Sequence, residues 1–268
     1  MHYPSGKTHL YTILAHPVAH VRASEFFAPI IASEKRDAFV VPLHVLPEDL
    51  ASTVPMLQRI GNIKGLIITI PHKEAMAELC DEMGPNGQLA GAVNTVRFDA
   101  DGRLVGDMFD GIGLVNAARA HGIEPKDARV LMLGAGGAGR AVAITLADEG
   151  AKKITIANRT ESRARELAAV VQAVFPEVEV RAGPADPAGH DLVINCTSLG
   201  LKPGQPTPMD PAALTPEMRL IDIIAPRDTE LMEAARARGL GTVVGGRPMV
   251  EHQVVAQLNF LKAPSLEE

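Results

Sequence analysis

Between Leu131 and Val142 the chain reads Leu-Met-Leu-Gly-Ala-Gly-Gly-Ala-Gly-Arg-Ala-Val. An apolar run enters a glycine-dense turn and leaves it as a helix-forming segment. Gly134, Gly136 and Gly139 stand at the G-x-G-x-x-G spacing. In a strand–turn–helix context the first glycine makes the turn, the second lets the backbone approach a pyrophosphate, and the third lets helix and strand pack closely. With Gly137 and Ala138 between them, such a loop offers free N–H groups and the positive end of a helix dipole to phosphate. A plain glycine turn in an α/β domain is the alternative. The dinucleotide reading commits the surrounding chain to strands alternating with helices.

The rest of the sequence follows that alternation. Leu10–Leu14, Phe39–Leu43 and Gly65–Ile70 are short apolar runs that read as buried strands, with helical stretches at Ser24–Glu34 and Pro47–Arg59 between them. A helix after Pro71 takes its apolar face from Met76, Leu79, Cys80 and Met83 and is expected to end in a turn at Gly84-Pro85-Asn86-Gly87. Gly91–Val96 and Leu104–Gly106 read as a hairpin. Near Asp110 the pattern resets. A helix runs to about His121-Gly122, Arg129–Leu133 leads into the glycine loop, and a helix follows at Arg140–Glu149. Strands are expected at Lys153–Ala157, Val178–Arg181, Leu192–Asn195, Leu220–Ile224 and Thr242–Val244, and a last helix at Met249–Leu261. Lys202–Pro211 reads as a loop. At roughly 150 residues per domain, 268 residues suit two α/β domains.

Composition narrows the function. A net charge of −6 with 3% aromatic residues argues against a general grip on nucleic acid, which needs basic surface or stacking platforms. No apolar run is long enough to span a membrane, and the N-terminus lacks a secretion-signal core. Cys80 and Cys196 are the two cysteines, without Cys-x-x-Cys spacing, which fits a reducing compartment. Cys196 reads as a small packing residue. A cytoplasmic protein that handles a small molecule is expected, without a metal site.

The strand after the glycine loop normally ends in Asp or Glu, which bonds the ribose 2′-OH. Here Lys153–Ala157 ends in Asn158-Arg159-Thr160, with Arg163 one turn on. A guanidinium in place of the carboxylate favours a 2′-phosphate, hence NADP over NAD; a solvated surface Arg is the alternative. Lys73 stands in the first turn of a helix, and the dipole there tends to lower a lysine pKa. Asp110 before a helix is, taken alone, most simply an N-cap.

Taken in order, these segments resemble the shikimate dehydrogenase family, with its quinate dehydrogenase relatives, from about residue 15 to 260. Thr69-x-Pro71-x-Lys73 is similar to its catalytic-lysine motif, Gly91-Ala92-Val93-Asn94-Thr95 to its substrate-binding Asn segment, and Gly106-x-x-x-Asp110-Gly111-x-Gly113 to its catalytic-Asp segment. Gly134–Arg140 and Asn158-Arg159-Thr160 resemble its NADP loop and phosphate clamp, Asn195–Gly200 its nicotinamide-side loop, and Gln253 a substrate-contacting Gln. The resemblance implies a substrate domain, residues 1–110 completed by the C-terminal helix 245–268, and a Rossmann-type NADP domain, 111–244. It implies Lys73 and Asp110 as the catalytic pair and Thr69, Asn94 and Gln253 around the substrate. Thr197 and Ser198 join the glycine loop, Asn158, Arg159, Thr160 and Arg163 around the cofactor. The implied reaction is hydride transfer between NADP(H) and a hydroxyl-bearing carbon of shikimate or a related cyclic polyhydroxy acid, a step of aromatic amino acid biosynthesis, by a monomer or homodimer. Lys73 would shuttle the hydroxyl proton.

The match breaks at the family's first motif, Gly-x-Pro-x-x-His-Ser-x-Ser-Pro. Its two carboxylate-binding serines are Val21 and Ala23 here, and Ile67, Met108 and Phe109 stand where the family has Asn, Asn and Thr. The Tyr expected near Ile224-Ala225-Pro226 is absent. A carboxylate facing apolar side chains is desolvated without partners, at a cost of several kcal/mol. A shifted substrate is therefore expected, with Arg22, Ser24, His16 and His20 as candidate replacement anchors. A non-catalytic NADP-binding protein and another two-domain lysine enzyme, such as a methylene-tetrahydrofolate dehydrogenase, are the alternatives. Lys73 with Asp110 argues against the first, and the ordered Asn94, Asp110 and Gln253 against the second.

Overall fold

A computed structural model describes residues 4–19, 21–225 and 227–266. The chain divides into two compact units, residues 1–109 with 253–268, and residues 110–252.

The first unit runs β1 (His9–Ala15), α1 (Ala23–Ser33), β2 (Ala38–His44), α2 (Leu50–Gln58), β3 (Ile63–Ile68), α3 (Lys73–Leu79), β4 (Glu82–Met83), α4 (Pro85–Ala90), β5 (Thr95–Phe98) and β6 (Leu104–Asp107). Its sheet has the order β2-β1-β3-β5-β6-β4. β1 pairs in parallel with both β2 and β3, and β5 runs antiparallel to β3 and β6. Leu14, Leu66, Ile68, Met76, Val93 and Val96 form its buried core with Val54 of α2.

The turn expected at residues 84–87 is the start of a helix, and the helix after Pro71 ends at Leu79 rather than near Met83. Cys80 leaves the helix with ψ 136, and the Asp81 carboxylate accepts the Leu104 N–H at 2.7 Å, so the chain turns to lay β4 beside β6. Pro85 then opens α4, where its missing N–H costs nothing. The buried Asp107 carboxylate accepts the Gly87 N–H of that helix at 2.7 Å. Gly-Pro-Asn-Gly reads as a turn because the long-range carboxylate that steadies α4 is invisible locally.

The second unit continues with α5 (Asp110–Ala120), β7 (Arg129–Leu133), α6 (Gly137–Asp148), β8 (Lys153–Ala157), α7 (Glu161–Val174), β9 (Glu179–Ala182), β10 (Leu192–Asn195), β11 (Arg219–Asp222), α8 (Glu230–Ala237) and β12 (Thr242–Val244). Every strand pair is parallel, in the order β12-β11-β10-β7-β8-β9. That is the doubly wound order, with its switch point between β7 and β10. Leu131, Leu133, Val193 and Leu220 pack there with Leu231 and Met232 of α8.

The last helix, α9 (Gly246–Phe260), divides between the units after His252. Gly246 lies so close to the Ile223 carbonyl that no Cβ fits. Beyond the division, Arg36 donates to the Asn259 side chain at 2.6 Å and to the Ala263 carbonyl at 2.8 Å, and Arg97 donates to the Phe260 carbonyl at 3.1 Å. The described helices include none long and apolar enough to cross a membrane.

Within the second unit α5 crosses α6 at Gly111, where a Cβ would meet the Ala141 carbonyl oxygen at 2.6 Å and the Thr145 Cβ at 2.8 Å. Backbone cannot step aside as a flexible side chain can. Gly111→Ala is expected to lower stability by about 1–3 kcal/mol, the ordinary cost of overpacking, measured by urea unfolding. Trimming the neighbour with Thr145→Ala should recover only part of it, since the carbonyl stays.

Candidate functional site

In the first unit the carboxyl ends of β1 and β3 and the residues leading into β5 come to one sheet edge. The Thr69 N–H donates to the Leu14 carbonyl at 3.1 Å, and the His16 N–H to the Ile70 carbonyl at 3.1 Å. The Ile68 N–H donates to the Asn94 carbonyl at 2.7 Å, and the Val93 N–H to the Lys73 carbonyl at 3.0 Å. Backbone bonds thus hold the segments of Thr69, Lys73 and Asn94 against one another. Lys73 is the first residue of α3 and is half-buried. His72 before it is buried, with Nε2 bonded to the Val45 carbonyl at 2.9 Å, which pins the start of α3 beneath the end of β2. Burial lowers the His72 pKa below the ordinary histidine value, against the carbonyl bond that raises it.

Asn94 and Gln253, 159 residues apart, meet at this edge. The Asn94 Nδ2 donates to Gln253 Oε1 at 2.8 Å, while its Oδ1 accepts the Thr95 hydroxyl and the Phe109 N–H, each at 3.1 Å. One turn on, Gln257 Nε2 donates to Thr95 Oγ1 at 2.9 Å. These bonds fix which face each amide presents.

Arg22, the proposed anchor, is exposed just before α1. Its Nε and Nη2 form a two-pronged ion pair with the Glu25 carboxylate three residues on, the second contact at 2.8 Å. Sequence spacing alone could have raised that i,i+3 pair. Among the other proposed anchors, His16 ring-stacks on His44, with Nδ1 and Nε2 2.8 Å apart. Ser24 is half-buried in α1, and His20 lies outside the described residues. Val21 and Ala23 are half-buried. Ile67, Met108 and Phe109 are buried, Phe109 against the Phe260 ring at 5.4 Å.

In the second unit the glycine loop follows β7. Gly134 has φ +104, a backbone state that favours glycine. A Cβ on it would press on the Cys196 carbonyl carbon at 3.0 Å and Thr197 Cγ2 at 3.1 Å, so the loops after β7 and β10 lie in contact. A Cβ on Gly139 would collide with the Gly134 carbonyl. At Gly136 a Cβ would meet no protein atom within 4 Å. Gly136 is also the N-cap of α6, with no side-chain cap, and Gly137 and Ala138 are half-buried in the helix's first turn. An uncapped helix start under open space suits a pyrophosphate, so the residues fit a dinucleotide.

Asn158 ties the β8 tip to this loop. Its Oδ1 accepts the Ala135 N–H at 3.2 Å and its Nδ2 donates to the Thr160 carbonyl at 2.8 Å. Arg159, Thr160 and Arg163 are exposed beside it. Thr197 is held by Asn195, whose Oδ1 accepts its N–H at 3.0 Å and its hydroxyl at 2.7 Å, and Ser198 is exposed. Asp110 is the first residue of α5 and is buried; a carboxylate in a first helical turn is favoured by the dipole. Among the described residues no group of three or more His, Cys, Asp or Glu could hold a metal ion.

Two family models match the sequence. The shikimate dehydrogenase substrate binding domain covers residues 13–96, and shikimate / quinate 5-dehydrogenase covers residues 116–238. The shikimate dehydrogenase (NADP(+)) of Acidiphilium cryptum is 40% identical over 252 residues, 94% of this chain and 89% of that protein. The chain belongs to the shikimate dehydrogenase family. Two solved proteins have similar structures. Shikimate 5-dehydrogenase from Thermus thermophilus, in complex with NADP(H) and shikimate, aligns with TM-score 0.84 and 32% identity over 95% of this chain and 93% of that one. The ligand-free 5-ketofructose reductase of a Gluconobacter species aligns with TM-score 0.83 and 30% identity over 98% and 95%.

Two glycines of the loop separate binding from folding. Gly136→Ala should leave the melting temperature within about 1 °C of wild type while weakening the dinucleotide at least tenfold, because its methyl enters only open space. Gly139→Ala should lower the melting temperature itself, because its methyl strikes backbone. Thermal unfolding and cofactor titration of both variants check the contrast.

Proposed function

We propose that this chain is an NADP-dependent dehydrogenase of the shikimate dehydrogenase type. It transfers hydride between NADP(H) and a hydroxyl- or keto-bearing carbon of shikimate or a related cyclic polyhydroxy acid. The observation that carries the reading is the buried Asn94–Gln253 amide pair at the sheet edge of Lys73. Buried amides are costly unless bonded, and this pair fixes two amide groups at the segment bonded to Lys73, where a polar substrate rather than an apolar one is matched. Bound NADP supplies the hydride acceptor. Lys73 is assigned the hydroxyl proton and Asp110 a ring hydroxyl, with Thr69, Asn94 and Gln253 as substrate contacts. Gly134 to Gly139, Asn158 to Thr160, Arg163, Thr197 and Ser198 are assigned to the cofactor. The enzyme is assigned to the cytoplasm, a reading supported by two cysteines without Cys-x-x-Cys spacing, and to a monomer or homodimer.

A second reading has its own observations. Val21 and Ala23 offer no hydroxyl, and the Arg22 fork is occupied by Glu25. A substrate without a carboxylate fits that loop better, and a 5-ketofructose reductase stands among the proteins of similar structure.

Steady-state kinetics with NADP(H) against shikimate, quinate and uncharged keto-sugars decides between the two. Shikimate is expected to fall below a kcat/KM of about 10⁵ M⁻¹ s⁻¹, an ordinary efficient value. Val21→Ser with Ala23→Ser should raise it. A shikimate value above that level in the unmodified protein removes the shifted-substrate expectation; an uncharged ketone as the best substrate establishes the second reading. Lys73→Ala should lower kcat on whichever substrate is best by about 10²-fold or more while cofactor affinity changes little.

Arg159 gives the cofactor test. With no carboxylate at the β8 tip, Arg159→Ala should weaken NADP⁺ at least tenfold and leave NAD⁺ nearly unchanged, since only the charge-assisted 2′-phosphate contact is lost. Equal weakening of both cofactors would mean that Arg159 does not touch the 2′-phosphate.

A further inference from the structure

We infer that Asp222 is a positioning residue for cofactor binding: it orients the Asn195 amide and so fixes the loop that follows β10 against the glycine loop. The inference rests on the reading that the second unit holds NADP.

Asp222 ends β11 and is fully buried. Its Oδ2 accepts the Asn195 Nδ2–H at 3.0 Å and the Thr229 hydroxyl at 2.7 Å, and its Oδ1 accepts the Ile224 N–H at 3.1 Å. All three partners are donors, which suits an ionised carboxylate. Burial pushes its pKa up, and the three donors work against that rise. A buried charge is tolerated only with such partners.

The consequence falls on Asn195, also buried and at the end of the neighbouring strand. An amide can face either way, and a carboxylate beside it accepts only the NH₂ end. With Nδ2 held by Asp222 and by the Leu199 carbonyl at 3.2 Å, Oδ1 must face the other side. There it accepts both the N–H and the hydroxyl of Thr197, whose Oγ1 in turn accepts the Leu199 N–H at 3.1 Å. One carboxylate thereby sets the direction of the side-chain hydrogen bonds that Asn195 and Thr197 make in the loop from Cys196 to Gly200. That loop lies against Gly134 at the switch point of the sheet. Thr229 extends the same network to α8, which it caps by accepting the Met232 N–H at 3.2 Å.

The test is Asp222→Leu in the full chain, with NADP⁺ affinity measured by titration at a temperature where circular dichroism matches wild type. Leucine has about the same shape and no acceptor, so nothing at position 222 fixes the Asn195 flip. NADP⁺ should bind at least tenfold more weakly, and KM for the substrate at saturating NADP⁺ should change less than twofold. The conservative variant Asp222→Asn keeps one oxygen that can accept from Asn195 Nδ2 and the Thr229 hydroxyl and gives up only the acceptor of the Ile224 N–H. It should hold NADP⁺ affinity within threefold of wild type.

A folded D222L that binds NADP⁺ within twofold of wild type overturns the assignment, even with a lowered melting temperature, since the role would then be stability alone. Where D222L does not fold, D222N is read in its place. Affinity within threefold of wild type supports the assignment, and a folded D222N that binds tenfold more weakly overturns it, because the acceptor that orients Asn195 is still present there. A wild-type protein that does not bind NADP⁺ overturns the cofactor reading and this assignment with it, a result separable from the others because it appears before any substitution.

Discussion

The close approach of α6 to the end of β7 organises the second unit. Gly139 sits under the Gly134 carbonyl where no side chain fits, and Gly134 in turn touches the Cys196–Thr197 segment of the next loop. Three segments from β7, α6 and β10 meet there because the two glycines put no side chain of their own between them. This contact brings the uncapped start of α6 to the switch point of the parallel sheet, where the topology already leaves a crevice. A helix start without a side-chain cap suits a phosphate without added charge, because its first N–H groups and the helix dipole face that way.

The first unit reaches a defined site by a different route. Its edge is assembled from backbone hydrogen bonds between β1, β3 and the approach to β5, and the amide pair Asn94–Gln253 is laid across it. Asn94 is tied at both ends of its amide, so its orientation is decided by Gln253, Thr95 and Phe109 together. The half of α9 that carries Gln253 is held in turn by Arg36 and Arg97. Arg97 also stacks over the Phe260 ring at 4.9 Å, adding a contact that strengthens where water is scarce.

Features written in short stretches of sequence were legible. The glycine loop, the β8 tip without a carboxylate, and most strands needed only periodicity and spacing. Resemblance supplied Asn94 and Gln253 one at a time; spacing could not say that they touch, because their bond closes over 159 residues. The turn expected before β5 became β4 and α4 for the same reason: Asp81 and Asp107 direct the chain there through partners 23 and 20 residues away. Asp222 was readable as a carboxylate ending an apolar run, yet its meaning depends on Asn195 in the adjacent strand. Arg22 is the opposite case. Its partner Glu25 stands three residues on, within the range that local reasoning covers.

That ion pair bears on how specificity can move while chemistry stays. Lys73 and Asn94 are set by main-chain hydrogen bonds at strand ends, which side-chain replacements nearby leave in place. The loop after β1 contributes only what its side chains carry. Val21 and Ala23 offer no hydroxyl to a carboxylate placed there, and giving up water without a partner costs several kcal/mol. An Arg already paired with Glu25 repays that cost only by giving up that pairing. An exposed pair of this kind is weak, so a substrate acid could compete for Arg22, but it would then share the neighbourhood with the Glu25 carboxylate as a second negative charge. An acid at this loop would find no hydroxyl at positions 21 and 23 and would meet the Glu25 carboxylate, whereas a neutral polyol brings no charge to desolvate.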